Sequence, residues 1–188
     1  MPVRSKGTGR QQMSGGQGSL PREAAVLVPR IEREDAPLSL VFIHRSKQGR
    51  HGDQIAFPGG RIEPDDPTPV AAALREFEEE LGVDRGQVEV LGSLPALETR
   101  TTGYRVHPVL GRLRRLPTWS PDPREVAGVL VIPVSELWRP ENRGETMMAF
   151  GDWPAPRAVP YIQAGPHRIW GLTYRILDLV RPRLAPGP

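Results

Sequence analysis

Three glutamates, Glu76, Glu79 and Glu80, crowd the stretch Arg75-Glu76-Phe77-Glu78-Glu79-Glu80-Leu81-Gly82-Val83. It follows Gly59-Gly60-Arg61-Ile62-Glu63-Pro64-Asp65-Asp66 after a short spacer. At about 100° per residue, a helix through the stretch places those three acids on one face and turns Glu78 away to solvent. Like charges at these spacings repel by about a few tenths of a kcal/mol per pair, and the last turns of a helix disfavour anions further. A bound divalent cation reverses both penalties, because Mg²⁺ and Mn²⁺ take hard oxygen donors. Such a site neutralises phosphate oxygens and activates water. The two glycines upstream leave the backbone free to approach a ligand closely.

Together these residues resemble the Nudix box: a glycine, five residues, an acid, a spacer, then Arg-Glu-aliphatic-x-Glu-Glu-x-Gly-aliphatic. Gly60 matches the glycine, Asp66 stands where the family usually has Glu, and Arg75 to Val83 match the second half without a gap. The spacer is one residue longer than usual, as in the coenzyme A pyrophosphatase branch. Outside the box, His44-Arg45-Ser46 and His51-Gly52-Asp53-Gln54-Ile55-Ala56-Phe57-Pro58 are similar to that branch. So are Thr102-Gly103-Tyr104-Arg105-Val106-His107-Pro108-Val109 and Ile169-Trp170-Gly171-Leu172-Thr173. The branch normally has one more residue and a leucine where this chain has Lys47-Gln48-Gly49-Arg50, and a glycine where it has Asp53.

The resemblance implies an Mg²⁺ or Mn²⁺ shell from the Gly60 carbonyl, Glu79, Glu80 and Glu76. Glu76 serves either as a ligand or as the general base, with Arg75 orienting it through a charge-assisted hydrogen bond. The implied reaction is hydrolysis of a diphosphate joining a nucleoside to another moiety. Coenzyme A or an acyl-coenzyme A, giving 3′,5′-ADP and (acyl-)phosphopantetheine, is the leading substrate. ADP-ribose, NADH, dinucleoside polyphosphates and nucleoside triphosphates are the alternatives, as is a Nudix-fold nucleotide sensor that cleaves nothing. Arg45, Arg50, His51 and Arg105 are candidate substrate contacts, since guanidinium groups suit phosphate. Family members often need one further acid from a later loop, for which Glu125 and Glu98 are the candidates. Glu63 and Asp66 flank the glycine loop, where Asp66 reaches less far than a Glu.

The elements that must position these groups are legible around them. Thr68 is an N-cap, Pro69 suits the first helical turn, and Gly82 is a stop. Between them Val70, Leu74, Phe77 and Leu81 form an apolar stripe. Strands are expected at Ala24–Val28, Leu38–Arg45, Gln54–Phe57, Val88–Leu94, Tyr104–Leu113 and Val126–Ile132. A C-terminal helix is expected over Leu172–Val180, stopped near Pro182. Strands before, between and after two helices give an α+β or α/β/α sandwich. The resemblance adds that this is a mixed sheet between helices.

The 188 residues fit one domain, placed at 23–182 between a basic Gly/Ser-rich tail (1–22), read as disordered, and a flexible C-terminus (183–188). Residues 1–20 carry Arg4, Lys6 and Arg10 and no acid, which accounts for the whole formal net charge of +3. A nucleic-acid-binding domain carries a basic body or stripe, and this body is neutral, so no nucleic acid is expected; the small nucleotide partner is what the resemblance implies. No apolar run spans a membrane, and no apolar signal core opens the chain. Cysteine is absent, which removes disulfides and zinc–thiolate sites and suits the cytoplasm. A homodimer is compatible with all of this.

Overall fold

The structure, a computed structural model, describes residues 22–47, 52–99, 103–149 and 154–184. The basic tail to residue 21, Arg50 and His51 lie outside them. The strands are β1 (Arg22–Arg33), β2 (Ala36–Arg45), β3 (Ile55–Ala56), β4 (Gly59–Arg61), β5 (Glu89–Ser93), β6 (Leu97–Glu98), β7 (Tyr104–Leu113), β8 (Val126–Pro133), β9 (Arg143–Met148), β10 (Arg157–Ala164) and β11 (His167–Trp170). The helices are α1 (Pro69–Leu81), the single turn α2 (Val134–Leu137) and α3 (Gly171–Val180).

Among the described residues β1 to β8 form one mixed sheet. Its spine is the parallel pair β1–β7, in register from Arg22 opposite Tyr104 to Ile31 opposite Leu113. Its other pairings are antiparallel, with β2 between β1 and β8 and with β4 against the start of β1. Because successive side chains alternate, one set of strand positions faces α1 and the other faces α2 and α3. Ala25, Leu27, Ile31, Val41, Ile43, Val109 and Leu113 pack with Phe77 and Leu81 of α1. Val28, Leu40, Phe42 and Leu110 pack with Ile176, Leu177 and Val180 of α3. The expected sandwich is therefore present, and its central strands are buried on both faces, which explains their unbroken apolar runs.

Local signals placed α1 well. Thr68 Oγ1 accepts the Ala71 N–H at 3.1 Å, a cap worth about 1 kcal/mol, and Gly82 ends the helix at φ 63°. The expected stripe packs against the sheet and is widened by two alanines: Phe77 and Leu81 are fully buried with Ala72 and Ala73, and Val70 and Leu74 pack partly buried against them.

The sheet formed by β9, β10 and β11 has no counterpart in the sequence reading. Arg143-Gly144-Glu145-Thr146-Met147-Met148 lacks an apolar alternation, and Pro160 interrupts β10, so no period marks either strand. Glycines 59 and 60, read as a loop, instead open strand β4. The packed chain also continues beyond the expected boundary at 182, since the apolar Leu184 is buried beside α3's cluster. No helix among the described residues is long and apolar enough to cross a membrane.

Candidate active site

The site forms where β4 runs beneath α1. Gly59, Gly60 and Arg61 pair with Val26, Ala25 and Ala24 of β1, which brings the glycine backbone up to the helix. A Cβ at Gly60 would lie 2.6 Å from Glu76 Oε2, so the missing side chain is what seats that carboxylate. Gly59 has φ 153°, open to glycine almost alone, and a Cβ there would lie 2.6 Å from Val26 Cα. Its N–H donates to Glu80 Oε2 at 2.8 Å.

Glu76, Glu79 and Glu80, which helical spacing places on one face of α1, lie at different depths. They are graded from water to core, with Glu79 57% exposed, Glu76 15% and Glu80 2%. The strand beneath α1 turns one side of the acidic face into an interior. Burial pushes the Glu80 carboxyl up to about 8, against the opposing pull of the Gly59 N–H and of Arg45, whose Nη1 lies 3.5 Å away. Burial also raises Glu76, although Arg75 draws it down. The charge of Glu125, at the start of β8, raises both. Glu125 is held there by its own N–H to Asp122 O and by the Ser46 N–H to its carbonyl at 2.8 Å. Glu98 is not among the charges that act on either acid. Its carbonyl accepts a hydrogen bond from Arg175 Nη1.

Arg75 is the hub of the outer half of the site. Its Nη1 lies 3.1 Å from Glu76 Oε1, the pairing expected from the sequence. Its principal anchor is Asp66, which accepts from Nε at 3.1 Å and Nη2 at 3.0 Å in a forked geometry. The same guanidinium donates to Glu79 Oε2 at 2.8 Å and to the Arg61 carbonyl at 3.0 Å. Arg75 holds the Asp66 carboxyl below its usual range, helped by the Glu63 N–H at 2.8 Å. Asp66 thus appears as the anchor of the arginine, a role the spacing of the box did not reveal. Glu78 pairs with Arg85 at 2.6 Å, away from the other acids, as its helical angle requires.

Among the described residues no three Asp, Glu or His side chains already surround one point as a metal-holding group. Arg75 draws Glu79 to its own guanidinium instead. The donor chemistry nevertheless fits a hard cation. The buried Glu80 and the half-buried Glu76 repel one another beside a bare glycine backbone, and burial holds both carboxyls above their ordinary value.

The candidate substrate contacts separate. Arg45 reaches Glu80 from β2, whereas Arg105 lies exposed on β7 opposite Glu98. Asp53, where the resembling branch carries a glycine, has φ 65°, a conformation Asp tolerates better than most residues. Its Oδ1 hydrogen-bonds with His44 Nε2 at 2.7 Å.

Comparison with known proteins agrees with this geometry. Residues 21–161 match the NUDIX domain. The chain is 37% identical over 172 residues to the mitochondrial coenzyme A diphosphatase NUDT8 of Mus musculus, covering 90% of this chain and 81% of that protein. It is 40% identical over 166 residues to the uncharacterized Nudix hydrolase NudL of Escherichia coli, covering 83% and 79%. Among solved structures, the NUDIX domain of Shewanella oneidensis NrtR complexed with ADP ribose superposes with a TM-score of 0.57 at 14% identity, over 88% of this chain and 89% of that one. At that identity the likeness speaks to fold alone.

Proposed function

The chain belongs to the Nudix family, and from that premise we propose that it is a hydrolase dependent on Mg²⁺ or Mn²⁺. Its proposed substrate is coenzyme A or an acyl-coenzyme A, cleaved to 3′,5′-ADP and (acyl-)phosphopantetheine. The observation that carries the reaction is the seating of the Glu76 carboxylate on Gly60, with Glu80 buried beside it and Glu125 opposite. The substrate rests on the coenzyme A diphosphatase relative, whose similarity runs through nine-tenths of the chain.

Glu76, Glu79, Glu80 and the Gly60 carbonyl would hold the cation, which when bound neutralises phosphate oxygens and lowers the pKa of water. The residues of the chain do the remaining work. Glu80, fixed by the Gly59 N–H, supplies a charge that cannot relax into solvent. Glu76, kept between Arg75 and Gly60, is positioned to take a proton from the attacking water. Arg75, locked by Asp66, keeps Glu76 and Glu79 in place. Glu125 is the further acid of the later loop. Arg45 carries positive charge to the rim, where the diphosphate enters.

The decisive experiment is a hydrolysis screen with Mg²⁺ and Mn²⁺ over coenzyme A, acetyl-coenzyme A, ADP-ribose, NADH, dinucleoside polyphosphates and nucleoside triphosphates. Release of 3′,5′-ADP from coenzyme A, lost in Glu79→Gln and Glu80→Gln variants that keep their fold, is the expected result. Preferred cleavage of another substrate would replace the substrate assignment. Binding without cleavage of any would make the protein a sensor. Unchanged turnover in either variant would sink the metal site.

A further inference from the structure

One cationic cluster near the site has no part in the chemistry above. Arg22 opens β1, Arg61 closes β4 and Tyr104 opens β7. The registers place Arg22 opposite Tyr104 and Ala24 opposite Arg61, so the three side chains share the face turned away from α1. The guanidinium carbons of Arg22 and Arg61 lie 5.9 Å and 5.8 Å from the centre of the same Tyr104 ring. That is the range in which a ring attracts a cation. Neither guanidinium pairs with a carboxylate among the described residues. The neighbouring acid Glu23 is already engaged by His107 at 2.5 Å. Other arginines of the sheet and its loops are neutralised, Arg75 by Asp66, Arg112 by Glu89 and Arg124 by Asp122.

Two exposed guanidiniums gathered on one ring, with their N–H groups uncommitted, make a local excess of positive charge that an anion relieves. The planar fork of Arg matches phosphate in particular. The ring is occupied by the two cations, so it holds the arginines rather than stacking on a base. Position ties the cluster to the reaction. Arg61 follows Gly60 directly, and its carbonyl accepts from Arg75. The carboxylate side and the arginine side therefore meet at the end of one short strand.

Building on the reading of the substrate as a nucleotide diphosphate, we propose that Arg22 and Arg61, mounted on Tyr104, bind a phosphomonoester on the nucleoside half of the substrate, remote from the bond that is cleaved. A substrate whose diphosphate lies at Glu76 and Gly60 reaches the pair by folding its nucleoside around the end of β4. This site favours nucleotides that carry an additional phosphate on the ribose over those that lack it.

The test is calorimetric titration of the full chain with adenosine 3′,5′-bisphosphate and with adenosine 5′-monophosphate. The wild-type protein is expected to bind the bisphosphate about tenfold more tightly, the range of a charged hydrogen-bonded contact. That preference should vanish in the Arg22→Gln/Arg61→Gln double variant and survive in Tyr104→Phe, which keeps the ring. It should also persist against inorganic phosphate at equal concentration. Equal affinities in the wild type, a preference that outlives the double variant, or its loss to inorganic phosphate would each overturn the proposal. Hydrolysis of coenzyme A and 3′-dephospho-coenzyme A supplies a second ratio, expected to fall by the same factor in the double variant. A wild-type protein that cleaves neither refutes the proposed function, while the two titrations still decide this site.

Discussion

The carboxylate of Glu76 rests against the bare α-carbon of Gly60, with no room for a methyl group between them. The contact joins a helix to a strand, and it determines where the proposed general base can stand. Gly60→Ala therefore pushes aside a side-chain end that can move, at modest cost to folding, while displacing the proposed base. Hydrolysis should fall at least tenfold with the melting temperature nearly unchanged. Gly59→Ala meets backbone instead, at a φ open only to glycine, and should lower the melting temperature strongly. Equal loss of stability in both variants would contradict the distinction.

Asp66→Asn removes the charge that anchors Arg75. A hydrogen bond to a charged group is worth about 1.5–3 kcal/mol, so loosening the arginine should reduce kcat by about tenfold or more. The loss should exceed that of Glu78→Gln, whose pairing with Arg85 lies off the site. Steady-state kinetics of the two variants side by side checks this.

Burial of Glu80 gives stability a particular dependence on pH when no divalent cation is present. Its carboxyl titrates near 8 in the folded chain, against an ordinary value of 4.5. Between those values the folded state retains a proton that the unfolded chain has lost. Stability therefore falls as pH rises through this window, by on the order of a few kcal/mol in all. Glu80→Gln should flatten the curve and raise the melting temperature at alkaline pH while abolishing hydrolysis. Saturating Mg²⁺ should stabilise the wild type more at about pH 8 than at about pH 5.5, since the cation binds the ionised form. A wild-type melting temperature that rises across the window would refute the assignment.

Of the two later acids, Glu125 raises the carboxyls of Glu76 and Glu80, whereas Glu98 lies on β6 opposite Arg105. Glu125→Gln should lower kcat by about tenfold to a hundredfold, in the range of a positioned proton-transfer or metal-binding group. Glu98→Gln should stay within about twofold. Reversal of that order would reassign the role.

Much of this was legible along the chain because it is short-range. Thr68, Pro69 and Gly82 bound a helix whatever surrounds it, and the spacing of Glu76, Glu79 and Glu80 within it marks a cation-binding face. The same local patterns placed the ends of β7 at Tyr104 and Leu113. Local periodicity cannot say which of the three acids is buried, because that depends on β4 arriving beneath α1. It cannot say that Asp66 holds Arg75, that Glu125 joins from β8, or that Arg22, Arg61 and Tyr104 meet on one face. Burial and charge coupling are properties of segments brought together from distant parts of the chain, and they are decided by strand pairing and register. The sequence by itself determined the candidate reacting groups, while the tertiary structure decided their burial, their partners and the cationic cluster beside them.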